Sequence, residues 1–181
     1  NFDDKSRSLL EVLYLNTSNV NTMNKMFLYC TSLTSLDASD WDVSNVTNME
    51  SVFDGCIKLT SVGDLSNWNI NQITNMQYMF YDCLLLSSVE LSDSLTYIGN
   101  YAFSNCPSIS SIVLPDAITQ INTRAFSGCT SLASVNFPEG LTTIGNYAFG
   151  GYIPFFNYNI PCIAFASIFD MSRISLIIPK R

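Results

Sequence analysis

The chain has 181 residues, 48% hydrophobic and 13% charged, with a net charge of −7 and no histidine. That is enough apolar material for one continuous core in one domain. The acids gather at one end, since residues 1–93 hold twelve acids and four bases while residues 94–181 hold three acids and four bases; no basic stripe exists for nucleic acid or an anionic membrane surface.

The opening, Asn1-Phe-Asp-Asp, is acidic where a signal peptide would be basic, lacks an initiator Met and starts in mid-repeat. An excerpt or processed product is therefore expected, and the missing signal carries no information. No apolar run reaches eighteen residues, so no spanning helix is expected.

From Phe27 onward one column recurs: Phe27/Cys30, Phe53/Cys56, Phe80/Cys83, Phe103/Cys106 and Phe126/Cys129, at spacings of 26, 27, 23 and 23 residues. A sixth unit starts at Phe149, with Tyr152 in the cysteine place. Self-similarity at such a period predicts a solenoid, one rung per repeat. After each Cys comes an LxxLxL pattern, as in Leu33-Thr-Ser-Leu36, Leu59-Thr-Ser-Val62, Leu86-Ser-Ser-Val89, Ile109-Ser-Ser-Ile112 and Leu132-Ala-Ser-Val135. Phe155-Phe-Asn-Tyr158 continues it. Its last two apolar positions lie two apart, on one face of a short strand. Prolines 115, 138 and 161 end the strands, each 23 residues from the last.

On the other side of the repeat Met23, Met49 and Met76 precede the Phe column by four residues, and Val20, Val46 and Ile73 lie three earlier again. This spacing predicts a short helical turn with its apolar stripe facing the core. In the shorter repeats Ile98/Ala102, Ile121/Ala125 and Ile144/Ala148 take over as the helix-side residues. Gly99, Asn122 and Gly145 share a column, which predicts a tight turn with positive φ.

The wording of the repeats resembles a known family. Leu95-Thr-Tyr-Ile-Gly-Asn-Tyr-Ala-Phe103 and Leu141-Thr-Thr-Ile-Gly-Asn-Tyr-Ala-Phe149 resemble the repeat of BspA-like, or Treponema-type, leucine-rich repeat proteins. Trp41-Asp-Val-Ser-Asn-Val-Thr-Asn-Met49 and Trp68-Asn-Ile-Asn-Gln-Ile-Thr-Asn-Met76 are similar to a sister repeat of bacterial surface lipoproteins. The resemblance implies an α/β repeat solenoid: a right-handed leucine-rich-repeat solenoid with a parallel sheet on the concave face and short helical turns opposite. We expect residues 1–181 to form a single solenoid. Residues 1–93 would hold repeats of about 26 residues, residues 94–161 repeats of about 23, and residues 162–181 an irregular final repeat or cap.

The cysteines fall at one equivalent place per rung, beside the Phe column, so buried free thiols are expected rather than disulfides. With no CxxC and no histidine, no zinc site is expected, nor a Ser–His or Cys–His catalytic pair. No metal, cofactor or catalytic residue is assigned, and the chain is read as a non-enzyme. The Asp37–Asn45 loop has oxygen-rich content but not the calcium-loop pattern.

The remaining candidates are outward positions on the strands. One column is Ser35, Ser61 and Ser88, continuing to Ser111 and Ser134; the other is Asp37, Asp64 and Glu90, continuing to Val113, Asn136 and Asn159, with Gly63 as a one-residue insertion. Aligned carboxylates repel on neighbouring strands at about 5 Å. Exposure, a raised pKa, a cation or a basic partner would offset this. The expected partner-binding residues are therefore Ser35, Asp37, Ser61, Asp64, Ser88 and Glu90. The resemblance implies a protein ligand on a host or neighbouring cell and a cell-surface or extracellular place. An intracellular or structural scaffold is the alternative. No nucleic acid or membrane insertion is expected. Self-association is expected through the solenoid ends, most of all around Phe155, Phe156, Ile160 and Phe165.

Overall fold

A computed structural model describes residues 16–150 of the chain. Expectations that rest on Tyr152, Cys162, Pro161 and the segments 155–161 and 162–181 lie outside the described residues. Two sets of parallel pairings run along the stack. In one, β1 (Tyr97–Ile98), β3 (Gln120–Ile121) and β5 (Thr143–Ile144) form a sheet in the order β1-β3-β5. In the other, β2 (Ser111–Ile112) pairs with β4 (Ser134–Val135). The registers equate Ile98, Ile121 and Ile144, and also Ile112 and Val135. Partners thus lie 23 residues apart, as the repeat requires.

The longer repeats continue both ladders as isolated bridges, Thr22 to Asn48 to Asn75 on one side and Asp64 to Glu90 on the other. The change in length has a definite place. Trp41 and Trp68 lie twelve residues before Phe53 and Phe80, whereas Leu95, Ile118 and Leu141 lie eight before Phe103, Phe126 and Phe149. All of these are buried. Four residues are thus lost between the Trp/Leu column and the Phe column, and two-residue strands replace single bridges there.

The phenylalanine column is the axis of the core. Phe27, Phe53, Phe80, Phe103 and Phe126 are at most 1% exposed. From Phe27 to Phe149 successive rings stack with centroids 5.2–5.5 Å apart and planes within 15°. Stacking of this kind is worth about 0.5–1.5 kcal/mol per pair beyond burial. In the longer repeats Trp41 and Trp68 add a second stack at 6.2 Å, and the Trp68 indole N–H donates to the Ala38 carbonyl at 2.9 Å.

The expected helical turns are absent from the described residues, where the segment around each Phe is a chain of turns. Residues two before and two after the Phe adopt left-handed backbone: Lys25 and Tyr29, Ser51 and Gly55, Tyr78 and Asp82, Tyr101 and Asn105, Arg124 and Gly128, all with φ of 55–80°. Two such residues four positions apart forbid a helix. The backbone N–H groups of Tyr101, Phe103 and Asn105 donate across the rungs to the carbonyls of Thr123, Ala125 and Ser127 at 2.7–3.0 Å. The same triple bond joins every neighbouring pair of rungs from Lys25 to Gly150. A left-handed non-glycine residue costs about 1–2 kcal/mol. The inter-rung bonds offset that cost.

Two further expectations change. Ile98, Ile121 and Ile144 sit on strands, not on a helical face. Gly99 and Gly145 do not need positive φ. They are glycine because the next backbone is too close: a Cβ at Gly145 would stand 2.4 Å from the Thr123 nitrogen, and one at Gly99 2.8 Å from the Met76 carbonyl oxygen.

Cys30, Cys56, Cys83, Cys106 and Cys129 are free and buried, as expected. Their column has a second reason. The Sγ of Cys56, Cys83, Cys106 and Cys129 donates to the Phe carbonyl of the preceding rung at 3.0–3.2 Å. A buried small apolar side chain with a weak donor fits this place better than Ala or Ser alone. Burial pushes the thiols of Cys56 and Cys129 up to about 12, and those of Cys83 and Cys106 well above their ordinary value.

Thiol titration of the native protein should accordingly show these five cysteines unreactive until denaturant is added. Rapid reaction of several of them, or native disulfides among them in an intact-mass measurement, would refute the ladder. Replacing Phe103 with Ala should cost about 3–5 kcal/mol in urea unfolding, as truncation of a core Phe does; a loss under 1 kcal/mol would mean that the stack does not carry the core.

Candidate functional site

The six candidate residues, Ser35, Asp37, Ser61, Asp64, Ser88 and Glu90, are all exposed. They flank the buried Leu36, Val62 and Val89, so the outward alternation expected from the repeat is present. The rungs bring Asp64 and Glu90 together across a parallel bridge. Asp37 reaches its neighbour differently. Leu36 N–H donates to the Ser61 carbonyl and Ala38 N–H to the Val62 carbonyl, so the acceptors advance by one residue while the donors advance by two. The ladder slips there, next to the inserted Gly63.

Gly63 has φ of +79°, and a Cβ on it would meet the Asp37 carboxylate oxygen at 2.4 Å and the Ser39 hydroxyl at 2.6 Å. Glycine thus serves both the left-handed bulge and the close approach of a carboxylate. Ser39 ties the slip together. Its backbone N–H and hydroxyl both donate to Asp37 Oδ1, at 3.1 and 2.6 Å, and the hydroxyl accepts from Asp64 N–H at 2.9 Å.

The same local device recurs. Asp42 Oδ1 accepts from Ser44, through the backbone N–H at 3.0 Å and the hydroxyl at 2.6 Å. Asp64 Oδ1 accepts from Ser66 N–H at 2.8 Å. A carboxylate bonded to the backbone two residues on is a self-contained turn. Asp37, Asp42 and Asp64 are in consequence held below the ordinary carboxylate value. The Ser39 and Ser44 hydroxyls act first at Asp37 and Asp42, and the Ser66 backbone N–H first at Asp64. A raised pKa is therefore not what relieves the acidic column at Asp37 and Asp64. Exposure and these bonds do.

The serine column is mostly open. Ser61 Oγ accepts from Gly63 N–H at 3.2 Å. In the neutral half Val113 is 73% exposed. Asn136, in the same column, folds back on Leu114, accepting from its N–H at 2.7 Å and donating to its carbonyl at 2.9 Å. It acts as a substitute strand edge and is not free for a ligand.

Among the described residues no three or more His, Cys, Asp or Glu groups gather in a way that could hold a metal. The oxygens of the Asp37–Asn45 loop largely serve its own turns. A cavity of about 70 Å³ lies where the repeat shortens, lined by residues including Ile70, Met76, Ser94 and Tyr97. Ligand pockets are typically about 300–1,000 Å³.

Sequence reasoning missed a second feature, on the turns beside the Phe column. Tyr78 and Tyr101 stack at 4.9 Å, with Tyr81 edge-on to both at 5.7 and 6.4 Å. The Arg124 guanidinium lies over the rings of Tyr101 and Tyr147, 5.8 and 5.5 Å from their centroids. The signal was present in the Tyr-Ala-Phe and Arg-Ala-Phe wording, but only left-handed backbone at those positions turns the side chains outward.

Asp54 behaves in the opposite sense to the turn acids. Half-buried, with Ser51 Oγ donating to its Oδ2 at 3.0 Å and its Oδ1 buried without a partner, it is pushed above 3.8, chiefly by desolvation. Its contribution is greatest at low pH and is lost as pH rises through its raised folded value. Asp37, Asp42 and Asp64 contribute in full above the unfolded value and lose their contribution as pH falls through their lowered folded values. Side-chain carboxyl NMR should give midpoints below 3.8 for those three and above 3.8 for Asp54. The reverse order would refute the turn geometry.

The BspA-type leucine-rich repeat region matches residues 5–76 and 50–172, in six copies. A leucine-rich repeat protein from Bacteroides ovatus is 30% identical with a TM-score of 0.53, over 80% of this chain and 39% of its own. One from Eubacterium ventriosum is 32% identical with a TM-score of 0.53, over 70% of this chain and 32% of its own. The T. pallidum leucine-rich repeat protein is 22% identical with a TM-score of 0.58, over 89% of this chain and 82% of its own, a likeness of fold. The chain thus spans well under half of the Bacteroides and Eubacterium proteins. No curated protein matches it. With the stacked phenylalanines, the parallel ladders and the repeat match in agreement, the chain belongs to the BspA-type leucine-rich repeat family.

Proposed function

We propose that the chain is the ligand-binding part of a cell-surface protein, a non-enzymatic module that attaches to a protein on a host or neighbouring cell. The contact surface is the strand side of the acidic half, taken as the concave face: Ser35, Asp37, Ser61, Asp64, Ser88 and Glu90. The observation that carries this reading is the exposed carboxylate row. Asp64 and Glu90 are bridged neighbours, and Asp37 is held against Gly63 of the next rung. Three exposed carboxylates on adjacent rungs favour a cationic protein surface. The family match supports a protein-interaction role, and attachment at the surface extends it. Intracellular or structural scaffolding uses the same face and differs only in where the protein works.

A second surface has one observation in its favour, the 73% exposure of Val113 in the neutral half of the same column. Phe156 and Asn159, which would extend it, lie outside the described residues.

The test is the triple variant Asp37→Asn, Asp64→Asn and Glu90→Gln, measured against the physiological protein ligand at two salt concentrations. The parent should associate faster at low salt, and the variant should lose most of that advantage. Equal affinity and equal salt dependence in the two proteins would move the site to Val113 or away from the strands.

A further inference from the structure

The turn side carries a stripe, running from the end of the acidic half into the neutral half, that the acidic strand face does not explain. It consists of Tyr78, Tyr81, Tyr101, Arg124 and Tyr147. All but Tyr81 occupy the left-handed place two residues before the Phe, so their side chains leave the rung on the same side. The rung-to-rung bonds fix their backbone: Tyr78 N–H donates to Asn100, Tyr101 N–H to Thr123 and Arg124 N–H to Asn146, each at 3.0 Å. The stripe is thus mounted on backbone that is bonded from rung to rung.

Arg124 is exposed, and its guanidinium contacts are the two tyrosine rings; no carboxylate of the described residues forms an ion pair with it. It is the one cation among residues 94–150, which also hold only Asp116 and Glu139 as acids. An arginine oriented between two rings has lost rotamer freedom before any partner arrives, so less is lost on binding. Its planar fork suits a carboxylate, through two parallel hydrogen bonds. Tyrosine and arginine are also the side chains that dominate protein interfaces energetically.

The chemistry of the partner follows from which surfaces are free. The face contact between Tyr78 and Tyr101 is made within the stripe, and Arg124 covers the inner faces of Tyr101 and Tyr147. Sugars recognised by aromatic residues need open ring faces, which Tyr101, between Tyr78 and Arg124, does not offer. Ring edges and a guanidinium fork suit a carboxylate flanked by apolar side chains. We infer that the Tyr78–Tyr147 stripe, with Arg124 at its centre, docks an acidic protein segment in which carboxylates alternate with apolar residues. The charge distribution steers this partner to the Arg124 end of the stripe, since residues 16–93 hold nine acids and two bases, and Asp82 and Asp54 act on Tyr81 at the other end. The module would then have two faces of opposite preference: acidic strands for a cationic protein, and this stripe for an acidic one.

The experiment uses the intact chain and a short fluorescein-labelled peptide of Glu-Leu-Gly repeats, followed by anisotropy, with its Gln-Leu-Gly counterpart and hyaluronate as controls. The acidic peptide should bind and weaken with salt, while the glutamine peptide and hyaluronate should not bind. Arg124→Gln should weaken binding about tenfold or more, as loss of a desolvated charge pair does, and Arg124→Lys should recover only part. Tyr101→Leu should weaken it as well, with circular dichroism confirming that each variant remains folded. The triple variant at Asp37, Asp64 and Glu90 should bind this peptide as well as the parent or better, so the two surfaces stand or fall separately. The inference is overturned if the acidic peptide does not bind, if Arg124→Gln binds it equally well, if the glutamine peptide binds as tightly, or if hyaluronate binds instead.

Discussion

Around each buried phenylalanine three backbone N–H groups leave their own rung and donate to the next one, and the rest of the molecule depends on that exchange. A helix would keep those donors within the turn and leave this side of the rungs joined only by side chains. Here the donors join the rungs directly, at 2.7–3.0 Å between the rungs of Phe103 and Phe126. The left-handed residues on either side of the Phe make the geometry possible. Once it is set, the Phe rings must stack at about the rung spacing, the cysteine thiols meet the preceding Phe carbonyl, and the residues two before Phe80, Phe103, Phe126 and Phe149 form one stripe. Core, thiol ladder and tyrosine stripe are three consequences of one backbone arrangement.

The same economy explains why two repeat lengths coexist in one stack. The four residues lost between the Trp/Leu column and the Phe column lie away from the inter-rung exchange, so the exchange passes unbroken from the longer to the shorter repeats. The Tyr78 and Phe80 N–H groups, in a long repeat, donate to Asn100 and Ala102 in a short one at 3.0 and 2.8 Å. A change inside the turns around Phe would have cost three bonds at once. The mismatch appears instead as the small cavity beside Tyr97, whose hydroxyl is buried without a hydrogen-bond partner. Burial accordingly pushes that phenol above its ordinary value.

The charge pattern separates two surfaces. On the strand side the carboxylates of Asp37 and Asp64 are stabilised by serines of their own turns, with no cation of the described residues among the causes. On the turn side of the neutral half Arg124 is held by π-faces rather than by an acid. Each surface therefore keeps its charge available, and neither neutralises the other, because they project from different sides of the rung.

Much of the architecture was legible in the residues alone. The Phe/Cys column, the LxxLxL strands and the outward places of Ser35, Asp37, Ser61, Asp64, Ser88 and Glu90 follow from period and alternation, which depend only on order along the chain. Three matters were decided by the tertiary structure. The Met/Val stripe has helical spacing, yet the turns there are left-handed at Lys25 and Tyr29, because donors satisfied by the next rung outweigh the local preference for a helix. Gly99 and Gly145 looked like turn glycines, but what they answer to is a backbone one rung away, and spacing within a rung carries no record of that distance. The Tyr101–Arg124–Tyr147 contact joins residues 23 apart whose side chains face outward only after the backbone has turned. Sequence order determined which residues share a column; packing between rungs determined which way each column faces.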